Sequence, residues 1–296
     1  MSTRTIDTGT TELLCEIVDR VAMITLNRPQ ARNSLSDQLT PALRQMIKLT
    51  GDDPEVGSIL ITGAGSAFCA GGDVKGMGGG APKTDLTYDE RVATLRIRQR
   101  TLTGALVGVR KPTIAALPGP AAGAGMAIAL ACDIRIAAES AIMTTGYSRI
   151  GLTGDYGIAW LLTRLAGTAR ARELMFLSER LDARRCEALG LVNRVVPDSD
   201  LRSTAYALAR ELAEGPSWRS ATSRTISIMP CHRDSSSLWI RKPRISCARH
   251  KPATTRKRFV PSSRRGSLPS ADGKPAICVR MHRYPAEPCP RPAHAR

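Results

Sequence analysis

Lys111-Pro112-Thr113-Ile114-Ala115-Ala116-Leu117-Pro118-Gly119-Pro120-Ala121-Ala122-Gly123-Ala124-Gly125 is the stretch that decides how the rest of the chain is read. Lys111-Pro112 stops any preceding helix, and Thr113–Leu117 is an apolar run of strand length. The Pro-Gly-Pro at 118–120 turns the chain, a Gly/Ala-rich helix follows through Ala131, and Ile134–Ala138 reads as the next strand. Strand, glycine loop, helix and strand in that order predict an α/β fold whose adjacent strands are largely parallel.

The same alternation extends in both directions. Upstream, Glu12–Val18 and Val21–Leu26 are β-rich and turn at Asp19-Arg20, and Asn27-Arg28-Pro29 ends the second strand. Ser36 is placed to cap a helix carrying Leu39, Leu43, Met46 and Ile47 on one face. Val56–Thr62 reads as a buried strand followed by a loop with Gly63, Gly65, Gly71 and Gly72, then a flexible continuation over 76–81. Tyr88 to Val109 has the spacing of one helix through Val92, Leu95, Leu102 and Leu106. Downstream the alternation runs through Val196, with a last helix over Leu201–Leu212.

Charge separates two regions. Residues 217–296 hold 18 Lys+Arg against three acids, whereas residues 1–216 hold 25 against 23, so the formal +17 belongs to the tail. Ten of the 19 prolines also lie there, and hydrophobic periodicity is lost. The predicted organisation is a core over 1–216 and a basic Pro/Arg/Ser-rich tail over 217–296, disordered or read from a shifted frame. The first eleven residues lack the apolar centre of a secretory signal, and no apolar run approaches membrane-spanning length. A cytoplasmic protein without membrane association is expected.

Much chemistry is excluded from the core. All four histidines, at 232, 250, 282 and 294, lie in the tail, which removes histidine relays and histidine-based zinc sites. No cysteine pair has metal-ligand spacing, and no phosphate-loop signature is present. No metal is predicted. Carboxylates, tyrosines, lysines and backbone amides remain. Two glycine-rich loops, Ala67–Lys75 and Gly119–Gly125, each join a strand to a helix. Such junctions either pack helix against strand as tight turns or present unpaired N–H groups that together grip one oxygen.

Asn27-Arg28-Pro29-Gln30-Ala31-Arg32-Asn33 is similar to the N-R-P-x-x-x-N segment of the crotonase (enoyl-CoA hydratase/isomerase) family, and Phe68-Cys69-Ala70-Gly71-Gly72-Asp73-Val74 to its F-x-A-G-x-D-[LIV] loop. The Lys111–Gly125 stretch, closing at Ala131-Cys132-Asp133-Ile134, resembles the family's central block, and Leu162–Gly167 and Ala188–Val192 resemble two later ones. These segments follow family order from about residue 12 to 216.

The resemblance implies a repeated ββα spiral acting on an acyl-CoA thioester, with the amides of Gly72 and Ala124 binding the thioester oxygen. It further implies substrate contacts from Arg28, Ala70, Gly72, Asp73, Val74, Lys75, Ala124 and Tyr147. No separate cofactor is implied, since coenzyme A is part of the substrate. A homotrimer or dimer of trimers is also implied, although no segment beyond 216 resembles the helices that the family uses for assembly.

Two departures bear on the reaction. The family's two hydratase glutamates fall at Ala127 and Tyr147, so neither carboxylate is present. Glu139 reads as a surface turn residue. Asp155, in Arg149-Ile150-Gly151-Leu152-Thr153-Gly154-Asp155-Tyr156-Gly157, resembles the branch in which an aspartate serves as acid/base in isomerases or as nucleophile in aryl-CoA dehalogenases. Helix capping would also explain an aspartate there. One carboxylate suffices for a proton shift between two carbons, so an enoyl-CoA isomerase using Asp155 is the favoured reading and hydration the alternative. A catalytically weak acyl-CoA-binding protein, or nucleic-acid binding through the tail, are the readings from other classes.

Without apolar surface to bury, the tail cannot offset a backbone ordering cost of roughly 1–2 kcal/mol per residue. Limited trypsin digestion is expected to leave a stable fragment ending near Arg210–Arg224. Protection of Arg241–Arg265 would instead identify a folded basic domain.

Overall fold

A computed structural model of the chain describes residues 3–73 and 87–215. The expected flexible continuation over 76–81, Val74, Lys75 and the tail over 217–296 lie outside the described residues. The described residues fall within one unit of the chain, Met1–Asp234.

The first hairpin forms because Asp19 and Arg20 both adopt positive φ, 47° and 67°, as a two-residue turn matched to strand twist requires. That turn pairs β2 (Leu13–Val18) with β3 (Val21–Leu26) antiparallel, Val18 opposite Val21. The polar N-terminus, where no strand is predicted, supplies β1 (Thr3–Ile6) antiparallel to β2. From β3 onward every partner in the large sheet is parallel: β4 (Ser58–Gly63), β5 (Thr113–Leu117), β7 (Ile134–Ala138) and β10 (Arg194–Val196). Three short strands, β6 (Ala121–Ala122), β8 (Ile142–Thr144) and β9 (Leu181–Asp182), form a second sheet. A bridge from Cys69 to Ala121 joins the loop after β4 to this second ladder.

The helices are α1 (Leu39–Asp52), α2 (Tyr88–Arg100), α3 (Thr103–Gly108), α4 (Ala124–Ala131), α5 (Ile158–Leu177), α6 (Ala183–Ala188) and α7 (Leu201–Glu214). The succession β5–β6–α4 and then β7–β8–α5 is the repeated ββα unit of the crotonase fold. Strands buried on both faces explain the near-continuous apolar runs. Leu60, Ile114, Ala116 and Ile136 face the Ala205-Ala209-Ala213 stripe of α7. Ile59, Ile61, Ala115 and Leu117 face the main core, with Leu39, Leu43, Met46 and Ile47 of α1 and the whole of α4. The residue in the capping place of α1 is Gln38 and not the expected Ser36, although Ser36 Oγ accepts from the Leu39 N–H at 2.9 Å. Among the described residues no helix is long and apolar enough to cross a membrane.

A further expectation is corrected. The single helix predicted over Tyr88–Val109 is two, broken at Leu102, where φ is −110° and ψ −87°. Thr101 and Thr103 turn their hydroxyls onto the carbonyls of Ile97 and Gln99, the local competition that unsettles helices. Leu102 and Leu106 are fully buried, while Leu95 is 49% exposed. Arg91, Arg96, Arg98 and Arg100 interrupt the apolar spacing of α2, so that helix has no face to bury.

Polar residues of the matched motifs act as staples. Asn33 is fully buried at φ 56°. Its Oδ1 accepts from the Arg28 N–H at 2.8 Å, and its Nδ2 donates to the carbonyls of Ala64 and Ala67 at 2.9 and 2.8 Å. Lys111 donates to the Thr50 and Asp53 carbonyls at the end of α1. The Asp133 carboxylate accepts from the Thr113 N–H and hydroxyl at 2.8 and 2.9 Å, aligning the starts of β5 and β7. Asn33→Ala would leave three backbone groups, one buried and two part-buried, without their side-chain partner and would place alanine at positive φ. A loss of about 3–5 kcal/mol is expected in urea unfolding; a loss below about 1 kcal/mol would show that these bonds do not hold the loop.

Candidate active site

The two glycine loops touch. Phe68 and Cys69 donate to the Pro120 carbonyl at 3.1 and 3.2 Å, and Ala122 donates to the Cys69 carbonyl at 2.9 Å. A methyl built on Gly71, whose φ is 93°, would lie 2.8 Å from the Ala122 carbonyl oxygen and 3.6 Å from the Ala124 nitrogen. One on Gly125 would overlap the Cys69 carbonyl oxygen at 2.2 Å. Glycine is therefore required at both positions for main chain to meet main chain.

The directions of the two predicted amides follow from this arrangement. Leu35 N–H donates to Gly71 O at 2.8 Å and Asp73 N–H to Leu35 O at 3.2 Å. Successive groups on an extended chain point to opposite sides, so the Gly72 N–H faces away from Leu35. Ala124 is the first residue of α4, and its N–H has no acceptor within the helix. The Ala124 methyl joins the apolar core, with the residue only 3% exposed. Ala127 is fully buried in α4, so the helix is sealed on that side too.

Asp155 sits in a turn where Gly154, Tyr156 and Gly157 all take positive φ, 109°, 48° and 72°. Its carboxylate does not cap a helix: α5 begins at Ile158 with Gly157 in the capping place and no side chain bonded there. Instead Tyr147 Oη donates to Asp155 Oδ1 at 2.5 Å. Burial pushes the Asp155 carboxyl above the usual carboxylate range, and the Tyr147 hydrogen bond opposes that rise. Burial, followed by the Asp155 charge, pushes the Tyr147 phenol up. The Tyr147 ring is buried against both neighbouring loops: methyls built on Gly123 and Gly154 would lie 3.8 and 3.9 Å from it.

The other predicted positions divide. Arg28 donates to the Ser34 carbonyl at 2.7 Å and pairs with Asp73 at 3.4 Å. Its Nε lies 3.1 Å from Glu12 Oε1 without hydrogen-bond alignment. Ala70 is held by its N–H on the Arg32 carbonyl at 2.9 Å. Glu139 is an exposed surface residue paired with Arg184 at 2.9 Å. Cysteine nucleophiles find no support: the four described thiols are free and buried, and burial raises that of Cys69 to about 12. Among the described residues no cluster of three or more His, Cys, Asp or Glu could hold a metal.

A cavity of about 750 Å³ opens between α2, α3 and the start of α5, lined by Arg96, Arg100, Val107, Tyr156, Gly157 and Trp160 among others. Tyr156 and Gly157 directly follow Asp155, so this space adjoins the carboxylate's turn. Sequence reading assigned no role to Trp160 or Tyr156, because their surroundings depend on neighbours distant in the chain.

The sequence profile described as enoyl-CoA hydratase/isomerase matches residues 16–229. A relative named "Probable enoyl-CoA hydratase echA8" in Mycobacterium tuberculosis is 38% identical over 202 residues, 68% of this chain and 75% of its own length. The 1,2-epoxyphenylacetyl-CoA isomerase of Escherichia coli is 38% identical over 210 residues, 70% of this chain and 78% of its own. The crystal structure of an enoyl-CoA hydratase from Polaromonas sp. superposes with a TM-score of 0.70 at 30% identity, covering 76% of this chain and 86% of that one.

Proline is tolerated at the first position of a helix, so Ala124→Pro would delete one donor while leaving α4 in place. Thioester turnover is expected to fall about 10²–10³-fold with circular dichroism unchanged. Unaltered turnover in a folded variant would remove the Ala124 amide from the site.

Proposed function

The chain belongs to the enoyl-CoA hydratase/isomerase family, and on that premise we propose that it moves a proton between two carbons of an enoyl-CoA thioester, with Asp155 as the base. The Gly72 and Ala124 amides receive the thioester oxygen, and each such donor is typically worth ~2.7–4 kcal/mol in the transition state. In this reading Asp155 takes a proton from C2 of a 3-enoyl-CoA and the electron pair moves onto the thioester oxygen as a dienolate. The protonated carboxyl then delivers the same proton to C4, giving the 2-enoyl isomer. The reaction balances without any cofactor.

The observation that carries this reading is the Asp155 carboxylate, half-buried, not used as a helix cap and bonded to a tyrosine that packs on Gly123 of the second of two loops joined main chain to main chain. Hydration asks for a second group to position water, and the two places from which the family supplies glutamates hold Ala127 and Tyr147. Hydration stays the alternative because relatives at similar identity carry the hydratase name. The cavity beside Tyr156 and Trp160 offers room for the acyl group. We place the enzyme in the cytoplasm. Exposed apolar side chains such as Phe176 and Leu177 are in keeping with a trimer.

Purified protein is expected to convert a 3-enoyl-CoA to its 2-enoyl isomer faster than it hydrates the 2-enoyl-CoA. Asp155→Asn should abolish the shift while acyl-CoA binding persists in calorimetry. Faster hydration that survives Asp155→Asn would overturn the assignment, and binding without any turnover would leave an acyl-CoA-binding protein.

A further inference from the structure

Tyr147 stands where the family's hydratases carry a carboxylate, and its hydroxyl is spent on the one carboxylate that remains. The bond from Oη to Asp155 Oδ1 is 2.5 Å. The ring that carries this hydroxyl cannot easily move: Tyr147 is 4% exposed and packs against Gly123, the residue just before the Ala124 amide, and against Gly154, the residue just before Asp155. The Asp155 side chain has no tether to the N-terminus of α5. Its turn, with positive φ on both sides, does not define a carboxylate orientation by itself.

We propose that Tyr147 is a positioning residue that anchors Oδ1 of Asp155, leaves Oδ2 as the basic oxygen, and ties the carboxylate to the loop bearing the Ala124 amide. The proposal rests on Asp155 being the base. Two consequences follow. A hydrogen bond to a carboxylate favours its charged form, opposing the rise that burial imposes on Asp155. The phenol itself, pushed up by burial and by the neighbouring charge, keeps its proton and stays a donor. Tyr147 therefore donates the hydrogen bond throughout the cycle without transferring its proton; the migrating proton is carried by Oδ2 alone.

The test is Tyr147→Phe, which removes only the hydroxyl and keeps the ring against Gly123 and Gly154. The base must be ionised to act, so activity is lost as pH falls through its pKa. Without the hydrogen bond that pKa rises, and the acid limb of kcat/KM for the 3-enoyl-CoA shift is expected to move to higher pH. The rate on the plateau should fall about tenfold to a hundredfold, the usual worth of a hydrogen bond to a charged group, with acyl-CoA affinity within about twofold of wild type. Titration of the Asp155 carboxyl by ¹³C NMR, assigned with Asp155→Asn, should shift in the same direction and requires no turnover. A purely structural Tyr147 would lower Tm and leave both titrations unmoved, and that result would overturn the proposal. Failure of the base assignment is separate: Asp155→Asn would then retain the isomerase activity.

Discussion

Main chain pressed against main chain, where Gly71 meets Ala122 and Ala124, is the constraint on which the rest of the site depends. Nothing larger than hydrogen fits at Gly71 or at Gly125 without separating the loops. That contact exists only because β4 and β5 are adjacent and parallel, with Ile59 opposite Thr113 and Thr62 opposite Ala116. Both strands then end on the same edge of the sheet, and their following loops start side by side. The Cys69–Ala121 bridge continues the pairing beyond the strands themselves. The geometry of the two amides is thus a consequence of sheet register, which is the most rigid feature of a parallel α/β fold.

This dependence explains why so many polar residues in the recognisable motifs make structural hydrogen bonds. Asn33 holds the first loop, Lys111 closes the end of α1, and Asp133 aligns the starts of β5 and β7. Arg28 spans Ser34 and Asp73 on the near side of the same loop. Each satisfies backbone groups that a loop buried beneath helices would otherwise leave unpaired. The Gly72 and Ala124 N–H groups, to which the proposed reaction assigns the thioester oxygen, carry no side-chain signature. Ala124 brings a methyl that turns into the core, and its N–H is a main-chain group that the side chain leaves unaffected.

The same logic separates Asp155 from the other acids. Glu139 is exposed and paired with an arginine, and Asp133 is bonded to a neighbouring strand. Asp155 is held by a tyrosine that itself rests against Gly123 of the second glycine loop, so the ionisable group is tied to the loop that carries Ala124. The expectation of a capping aspartate fails because glycine at 157, with positive φ, begins the helix two residues further on.

By itself the sequence determined the alternation of strand, glycine loop and helix, the strands Thr113–Leu117 and Ile134–Ala138 to the residue, and the exclusion of histidine chemistry from the core. Those features are local: they follow from side-chain size, from proline and glycine at fixed places, and from residue counts. The tertiary structure decided what is not local. It broke the Tyr88–Val109 helix at Leu102, because only its second half meets the core, and it added β1 to a hairpin edge that polar residues can occupy. It also made Asn33 a staple and brought Tyr147 to Asp155, contacts fixed by the packing of loops that sequence spacing alone does not reveal. Sequence periodicity reports which face of an element is apolar, whereas a site formed by two loops and a turn depends on how the elements register against one another.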